Sequence, residues 1–296
     1  MTDNLRGAAL MTGSMLFFTL NDTLVKLAAA VIPLWELLVL RGALASLMLA
    51  AICLWLGQFR RFAGRDLWLV ALRSGSEIGA AYFFLTALIN MPLANVTALL
   101  QLLPLTVTLA AALVFREPLG WRRLTAIAIG FCGMLLIVKP GTEGFNEWTI
   151  YALVAVLFVT VRDLSTRRMS REMPSMFVTF IGALTVTLFA AVMSLSEPWV
   201  MPPAREGAYL VGTALFVGAA YLCSVMVMRT GELGFVTPFR YTALVFALVL
   251  GFVVFGDWPG VWTLLGAAII VGTGLFTLYR ERRLSRMALP GRQRPV

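Results

Sequence analysis

The 296-residue chain has no histidine and only three cysteines, and charged residues make up just 13% of it. Without histidine there is no Ser-His or Cys-His couple and no conventional zinc or iron site. Cys53, Cys132 and Cys223 lie far apart, each in an apolar run, so neither a Cys-x-x-Cys motif nor a disulfide framework is present. The sequence therefore predicts no metal, no cofactor and no enzyme. A membrane-embedded enzyme would have only carboxylates, Lys or Tyr to work with and is disfavoured. The scarcity of charge has a second consequence. With 60% hydrophobic residues and a mean hydropathy of +0.87, the chain has too little polar surface to cover a water-soluble globule, and it is expected in a bilayer.

A hydrocarbon core about 30 Å thick takes roughly 20 apolar residues per helix. Runs of that length, bounded by charges, Pro or Gly, occur at 7–28, 33–57, 67–88, 92–115, 120–138, 148–168, 175–196, 208–229, 233–255 and 260–279. The predicted fold class is all-α integral membrane, with ten transmembrane helices. The first run faintly copies a signal peptide, but Asp22 and Lys26 interrupt its end, and it reads as a retained helix. Lys and Arg segregate sharply between alternate connections. Seventeen fall on one side, among them Arg6, Arg60, Arg61, Arg116, Arg167, Arg168, Arg229 and the tail from Arg280, against Lys139 and Arg205 on the other. Cytoplasmic loops hold such an excess, so both termini are expected in the cytoplasm, in a bacterial-type inner membrane. The tail is expected to meet anionic lipid and not nucleic acid, and nothing in the sequence requires more than a monomer.

Sliding the chain against itself reveals a repeat. An offset of 141 matches Leu16, Phe17, Thr19, Asp22 and Pro33 to Leu157, Phe158, Thr160, Asp163 and Pro174. An offset of 140 matches ten further residues, among them Thr97 with Thr237, Phe115 with Phe255 and Gly120 with Gly260, and sets Glu117 opposite Asp257. Each unit holds five spans, an odd number, so the second must enter the membrane from the opposite side. The expectation is two inverted five-helix repeats, 1–141 and 142–282, followed by a basic tail at 283–296. Such a repeat places a midplane site where either side can reach it in turn.

Several motifs resemble the drug/metabolite transporter superfamily in its ten-helix EamA-type branch. They are Leu100-Gln-Leu-Leu-Pro104, Phe115-Arg-Glu117-Pro118, Trp121-Arg-Arg, Gly130-Phe-Cys-Gly133 and Lys139-Pro140-Gly141, with Asn21-Asp22, Lys26, Trp35-Glu36 and Arg41 before them. Gly256-Asp257-Trp258-Pro259 shifts the corresponding turn in the second half. The resemblance implies export of small metabolites by alternating access, with aromatic and other neutral amino acids as the expected substrates. A drug, cation or nucleotide-linked metabolite carrier is the alternative.

Charges inside the spans have to pair, face a cavity or reach an interface. Asp22 and Lys26 are spaced i, i+4 in the first span, which suits either a structural ion pair or a gate and coupling pair, and Glu36 and Arg41 enter the second span from the same side, which fits membership of one outer network with them. Arg73 and Glu77 repeat the i, i+4 spacing in the third, where Gly75 and Gly79 permit close helix contact and Tyr82 lies on roughly the glycine face. Thr97, Gln101, Pro104 and Thr108 form a polar stripe on the fourth span, and Pro104 frees a mid-helix carbonyl. Thr237, Pro238 and Tyr241 occupy the matching part of the ninth, and Tyr221 and Ser224 share a face of the eighth. Gln101, Tyr221, Tyr241, Thr97, Ser224 and Tyr82 are thus candidate substrate contacts, against ordinary interhelical packing. Asp22, Lys26, Glu36, Arg41 and Glu77 are candidates for gating or coupling, and Pro104 and Pro238 for hinges. Trp35, Phe83, Phe84 and Phe239 read as filler.

The charge segregation has a direct check. In a cysteine-free background, single cysteines at Arg61 and Arg168 should react with an impermeant maleimide only from the cytoplasm, and cysteines at Glu143 and Arg205 only from outside. Labelling of the Arg61 and Glu143 positions from the same side would contradict the ten-span inverted arrangement.

Overall fold

The computed structural model describes residues 3–59, 64–116, 121–138, 146–170, 172–228 and 236–287. The repeat boundary near residue 141, the Glu117-Pro118 turn and the tail beyond Met287 lie outside them. Among the described residues all regular structure is helical: α1 (Asp3–Ala28), α2 (Leu34–Trp55), α3 (Arg65–Asn90), α4 (Leu93–Leu100), α5 (Leu103–Phe115), α6 (Trp121–Val138), α7 (Glu147–Arg168), α8 (Ser175–Met193), α9 (Ala204–Met228), α10 (Thr242–Phe255) and α11 (Val261–Met287). Short 3-10 turns, Ser194–Ser196 and Thr237–Tyr241, extend α8 and precede α10. Seven segments are long and apolar enough to cross a bilayer, and Leu124–Val138 and Val261–Thr277 are shorter apolar helices. The tenth span is α3, whose 26 residues suffice in length while Arg65, Asp66, Arg73 and Glu77 lower its apolarity. The fourth span is α4 with α5, and the ninth is the 237–241 turn with α10.

Helix ends follow local chemistry. Pro33, Pro92 and Pro174 stand at the N-caps of α2, α4 and α8, where a missing N–H is harmless. The Asn146 side chain caps α7 by accepting from the Thr149 N–H at 3.1 Å. Within the fourth span the helix breaks at Gln101 and Leu102, one turn before Pro104. Proline has no N–H for the carbonyl of Leu100, and its ring crowds that carbonyl. In the ninth span the 3-10 turn ends at Tyr241, opposite Gln101, so both units interrupt the same helix at the same register, although Pro238 falls opposite Ala98 and not opposite Pro104.

The packing obeys the repeat. α1 runs along α9 as α3 runs along α7, and α2 packs on α8 as α6 packs on α11. Under the 140–141 offset the first two pairs exchange and the last two map onto themselves, which is the signature of a two-fold axis between inverted units. Side chains repeat it. Phe17 stacks on Phe216 at 6.0 Å with rings 18° apart, and its repeat mate Phe158 stacks on Phe83 at 5.6 Å and 13°. Ser46 and Thr187, themselves 141 residues apart, meet each other at 3.5 Å between hydroxyls, beside the axis. Of the pair Gly75 and Gly79, only Gly79 receives a neighbour, the ring of Phe158. Outward faces carry Leu47, Leu113, Leu188 and Val253, all more than half exposed, as suits contact with lipid.

Hydrophobicity drives no association between helices already in lipid, so close backbone approach matters. α6 and α11 show it most clearly. A Cβ on Gly266 would stand 2.4 Å from the Gly133 carbonyl oxygen, and one on Gly133 would stand 2.9 Å from the Gly266 carbonyl oxygen. Backbone cannot swing aside as a side chain can. Gly266→Ala is expected to lower stability by about 1–3 kcal/mol, read as a fall in Tm of the detergent-purified protein. Gly272→Ala on the same helix, with open space at its Cβ, should not show that fall.

Candidate functional site

Depth along each helix follows from a rise of about 1.5 Å per residue. Taking the face where the chain begins as the near face, α1 and α3 run from near to far while α2, α7 and α9 run from far to near. Asp22 and Arg41 then lie in the far half of the membrane. Arg73, Arg162, Asp163 and Tyr221 lie in the near half, and Glu77 lies close to the middle. All seven turn towards one another. Three cations and three anions thus meet inside the protein around one phenol.

Glu77 is the hinge of the near-half group. Its Oε1 accepts from the Arg162 guanidinium at 3.2 Å, and its Oε2 stands 3.6 Å from Arg73. Arg162 also holds its own neighbour Asp163, at 2.9 Å. Arg73, 9% exposed, gives two further donors to the Thr166 hydroxyl and the Val178 carbonyl, both at 3.1 Å. Gly182 leaves room for it, since a Cβ there would lie 2.6 Å from a guanidinium nitrogen of Arg73. In the far half, Asp22 accepts from the Asn21 amide at 2.9 Å and faces the Arg41 guanidinium, and both are half-buried. The Tyr221 hydroxyl feels the charges of Glu77, Arg162, Arg73 and Arg41, while its ring meets Phe18 edge-on at 5.5 Å. Fixed opposite charges side by side, with few other polar groups near, can hold a small zwitterion as well as each other.

Aromatic rings gather on the far side of this cluster. Trp35 and Tyr82 stack at 5.3 Å with rings 7° apart, Tyr151, Phe83 and Phe189 lie 5.2–6.2 Å from one or other of them, and Phe83 meets Tyr151 at 5.1 Å. Trp35 and Phe83, expected as filler, therefore belong to an ordered aromatic wall.

Two expected associations are corrected. Lys26 does not pair with Asp22. Its ammonium donates to the Met91 carbonyl, sits 5.2 Å from the centre of the Phe255 ring and has Asp257 as its opposite charge. Helical spacing lets i and i+4 meet, but Arg41 on α2 occupies the space beside Asp22. Nor does Glu36 join Arg41: it is 2% exposed and accepts from the Val200 N–H at 2.9 Å, pinning the segment before α9. Among the described residues, Glu77 is the expected gating residue with ion pairs inside 4 Å, while Asp22 and Arg41 interact with each other at longer range.

The polar stripe is divided. Thr97 and Gln101 are each 8% exposed around the break between α4 and α5, and Thr108 donates to the Pro104 carbonyl. Tyr241 is not beside Tyr221. It lines a separate apolar crevice of about 270 Å³ between α4, α10 and α11, with Leu244, Leu248, Thr263, Ala267 and Val271, and its hydroxyl abuts Gly274. Ser224 is half-buried one turn along from Tyr221. Arg162 and Asp163 fall inside the apolar run 148–168 but are not among the expected site residues. The match of Asp163 to Asp22 at offset 141 was the signal that could have placed them there.

Known proteins share this architecture. Residues 5–139 and, again, 146–279 match the EamA-like transporter family. The pseudopaline exporter CntI of Pseudomonas aeruginosa is 26% identical over 259 residues, covering 86% of this chain and 89% of that one. The riboflavin transporter of Vibrio cholerae is 29% identical over 66% of each chain, and the S-adenosylmethionine uptake transporter of Rickettsia conorii 25% over 65% of each. The chain thus spans 65% of the length of the S-adenosylmethionine transporters it matches. A crystal structure covering 94% of this chain and 98% of its own superposes with a TM-score of 0.66 at 20% identity, a likeness of fold alone.

The corrected pairing predicts a particular pattern of coupling. Asp22→Asn and Arg41→Gln should each destabilise the protein and be coupled in a double-mutant cycle by about 1 kcal/mol or more, whereas losses from Asp22→Asn and Lys26→Met should add within about 0.5 kcal/mol. Thermal unfolding in detergent measures both cycles. Coupling between Asp22 and Lys26 instead would restore the helical pair.

Proposed function

This chain belongs to the EamA-like transporter family, a membrane transporter of small molecules, and from that premise we propose that it exports neutral and aromatic amino acids by alternating access. Its near face then lies in the cytoplasm, residues 1–141 and 142–282 are the two moving units, and Pro104 and Pro238 are the hinges. The charge cluster around Tyr221 carries this reading. An amino acid brings one carboxylate and one ammonium, and here Arg41 and Arg162 stand within one group with Asp22, Glu77 and Asp163. The Trp35–Tyr82 stack offers flat apolar faces for the remainder of the molecule. Export is favoured by the breadth of the match to the pseudopaline exporter, 86% of this chain against 65% for the uptake transporter.

A second reading, a carrier of S-adenosylmethionine or riboflavin, is favoured by the relatives so named. Counterflow into proteoliposomes separates the two. Preloaded unlabelled amino acid should accelerate entry of labelled phenylalanine, and preloaded riboflavin or S-adenosylmethionine should not. Acceleration only by the last two transfers the assignment to them.

The site chemistry adds a prediction by substitution. Tyr221→Phe removes one hydroxyl from among the charges and should slow counterflow of every amino acid about tenfold, the size of a lost hydrogen bond to a charged group. Tyr82→Ala should instead slow tryptophan and phenylalanine more than alanine. Equal effects of Tyr82→Ala on all three would place the side-chain pocket elsewhere.

A further inference from the structure

Lys26 and its partners have a second copy in the molecule. At the far face, the Lys26 ammonium at the end of α1 lies over the ring of Phe255 at the end of α10, 5.2 Å from its centre. At the near face, the guanidinium groups of Arg167 and Arg168, at the end of α7, lie over the ring of Phe115 at the end of α5, 5.9 and 4.2 Å from its centre. The offset of 141 carries Lys26 onto Arg167, and the offset of 140 carries Phe115 onto Phe255. One contact thus appears twice, inverted, once at each mouth. Each copy also crosses between the units: α1 belongs to the first and α10 to the second, whereas α7 belongs to the second and α5 to the first.

The two copies differ in their extra bonds. Lys26 also donates to the Met91 carbonyl, at the joint between α3 and α4, and has Asp257 as its opposite charge. The near-face copy has two arginines on one ring. Both rings stand at the ends of the helices that follow the Gln101 and Tyr241 breaks, so a bend at a break moves a ring away from its cation.

We propose that Lys26–Phe255 and Arg167/Arg168–Phe115 are reciprocal latches, positioning contacts that close the far and near mouths respectively and whose balance sets which way the central site faces. This rests on transport by alternating access and is independent of the substrate. A cation over an aromatic ring is a contact that can break and re-form without leaving a carboxylate stranded in lipid. Its strength changes the ratio of two conformations by roughly three- to thirtyfold, enough to bias a two-state equilibrium without locking it.

The test reads accessibility and needs no substrate. A cysteine at Ser224, one turn from Tyr221, is introduced in a background lacking Cys53, Cys132 and Cys223, and its rate of reaction with an impermeant maleimide is measured from each face in oriented vesicles. Lys26→Gln and Phe255→Leu should each raise labelling from the far face threefold or more and lower it from the near face. Phe115→Leu should do the reverse, and Lys26→Arg should label like the parent. Monodispersity in detergent identifies any variant that fails to fold, and the two Phe→Leu variants, which remove the aromatic face and keep the apolar bulk, then carry the comparison. Equal rises on both faces, or no change on either, would overturn the latches whatever the protein transports.

Discussion

A charge in hydrocarbon has to find a partner, and that requirement organises the interior of this protein. Insertion of an isolated Arg, Lys or Asp at the centre of a membrane helix costs about 2.5–3.5 kcal/mol. Six such groups, Asp22, Arg41, Arg73, Glu77, Arg162 and Asp163, come from four helices. They become tolerable only when α1, α2, α3 and α7 hold them together. The same packing that neutralises them gathers opposite charges in one group, where the proposed zwitterionic substrate would exchange partners with protein charges. On that proposal, stability and recognition draw on the same residues.

The inverted repeat explains why those groups are distributed as they are. Asp22 and Asp163 are repeat mates, so the axis places them at similar depths from opposite faces. Tyr221 meets charges from both halves, and its repeat has no matching phenol, because the matching position near residue 80 on α3 is alanine. Symmetry of backbone with asymmetry of side chains is what a carrier needs, since two related conformations remain close in energy while the site itself is not duplicated. Gly133 and Gly266 contribute to this frame by letting α6 and α11 approach at backbone distance. The charge cluster lies on other helices.

Span number, helical class and internal repeat were legible in the sequence because each rests on a local or periodic property. Hydropathy over some twenty residues reports a crossing, and a constant offset reports a duplication, before any helix touches another. The interruption of the fourth span was legible too, since Pro104 removes a backbone donor wherever the helix lies. Partner choice was less so. Asp22 and Lys26 have the spacing of a helical pair, yet Lys26 faces Met91, Phe255 and Asp257 while Asp22 faces Arg41. Gln101 and Tyr241 are repeat mates by offset, yet Gln101 stays at the broken helix and Tyr241 lines another crevice.

By itself, the sequence determined that this protein crosses a bilayer as two inverted five-helix units, because apolar length, Pro position and repeat offset act along the chain. Only the tertiary structure decided which charges neutralise which, that Trp35 and Tyr82 form a wall and that Arg162 and Asp163 join Glu77. Those outcomes depend on the angles and distances between helices far apart in sequence. Electrostatic energy follows separation in space, and residue spacing within one helix limits that separation without setting it.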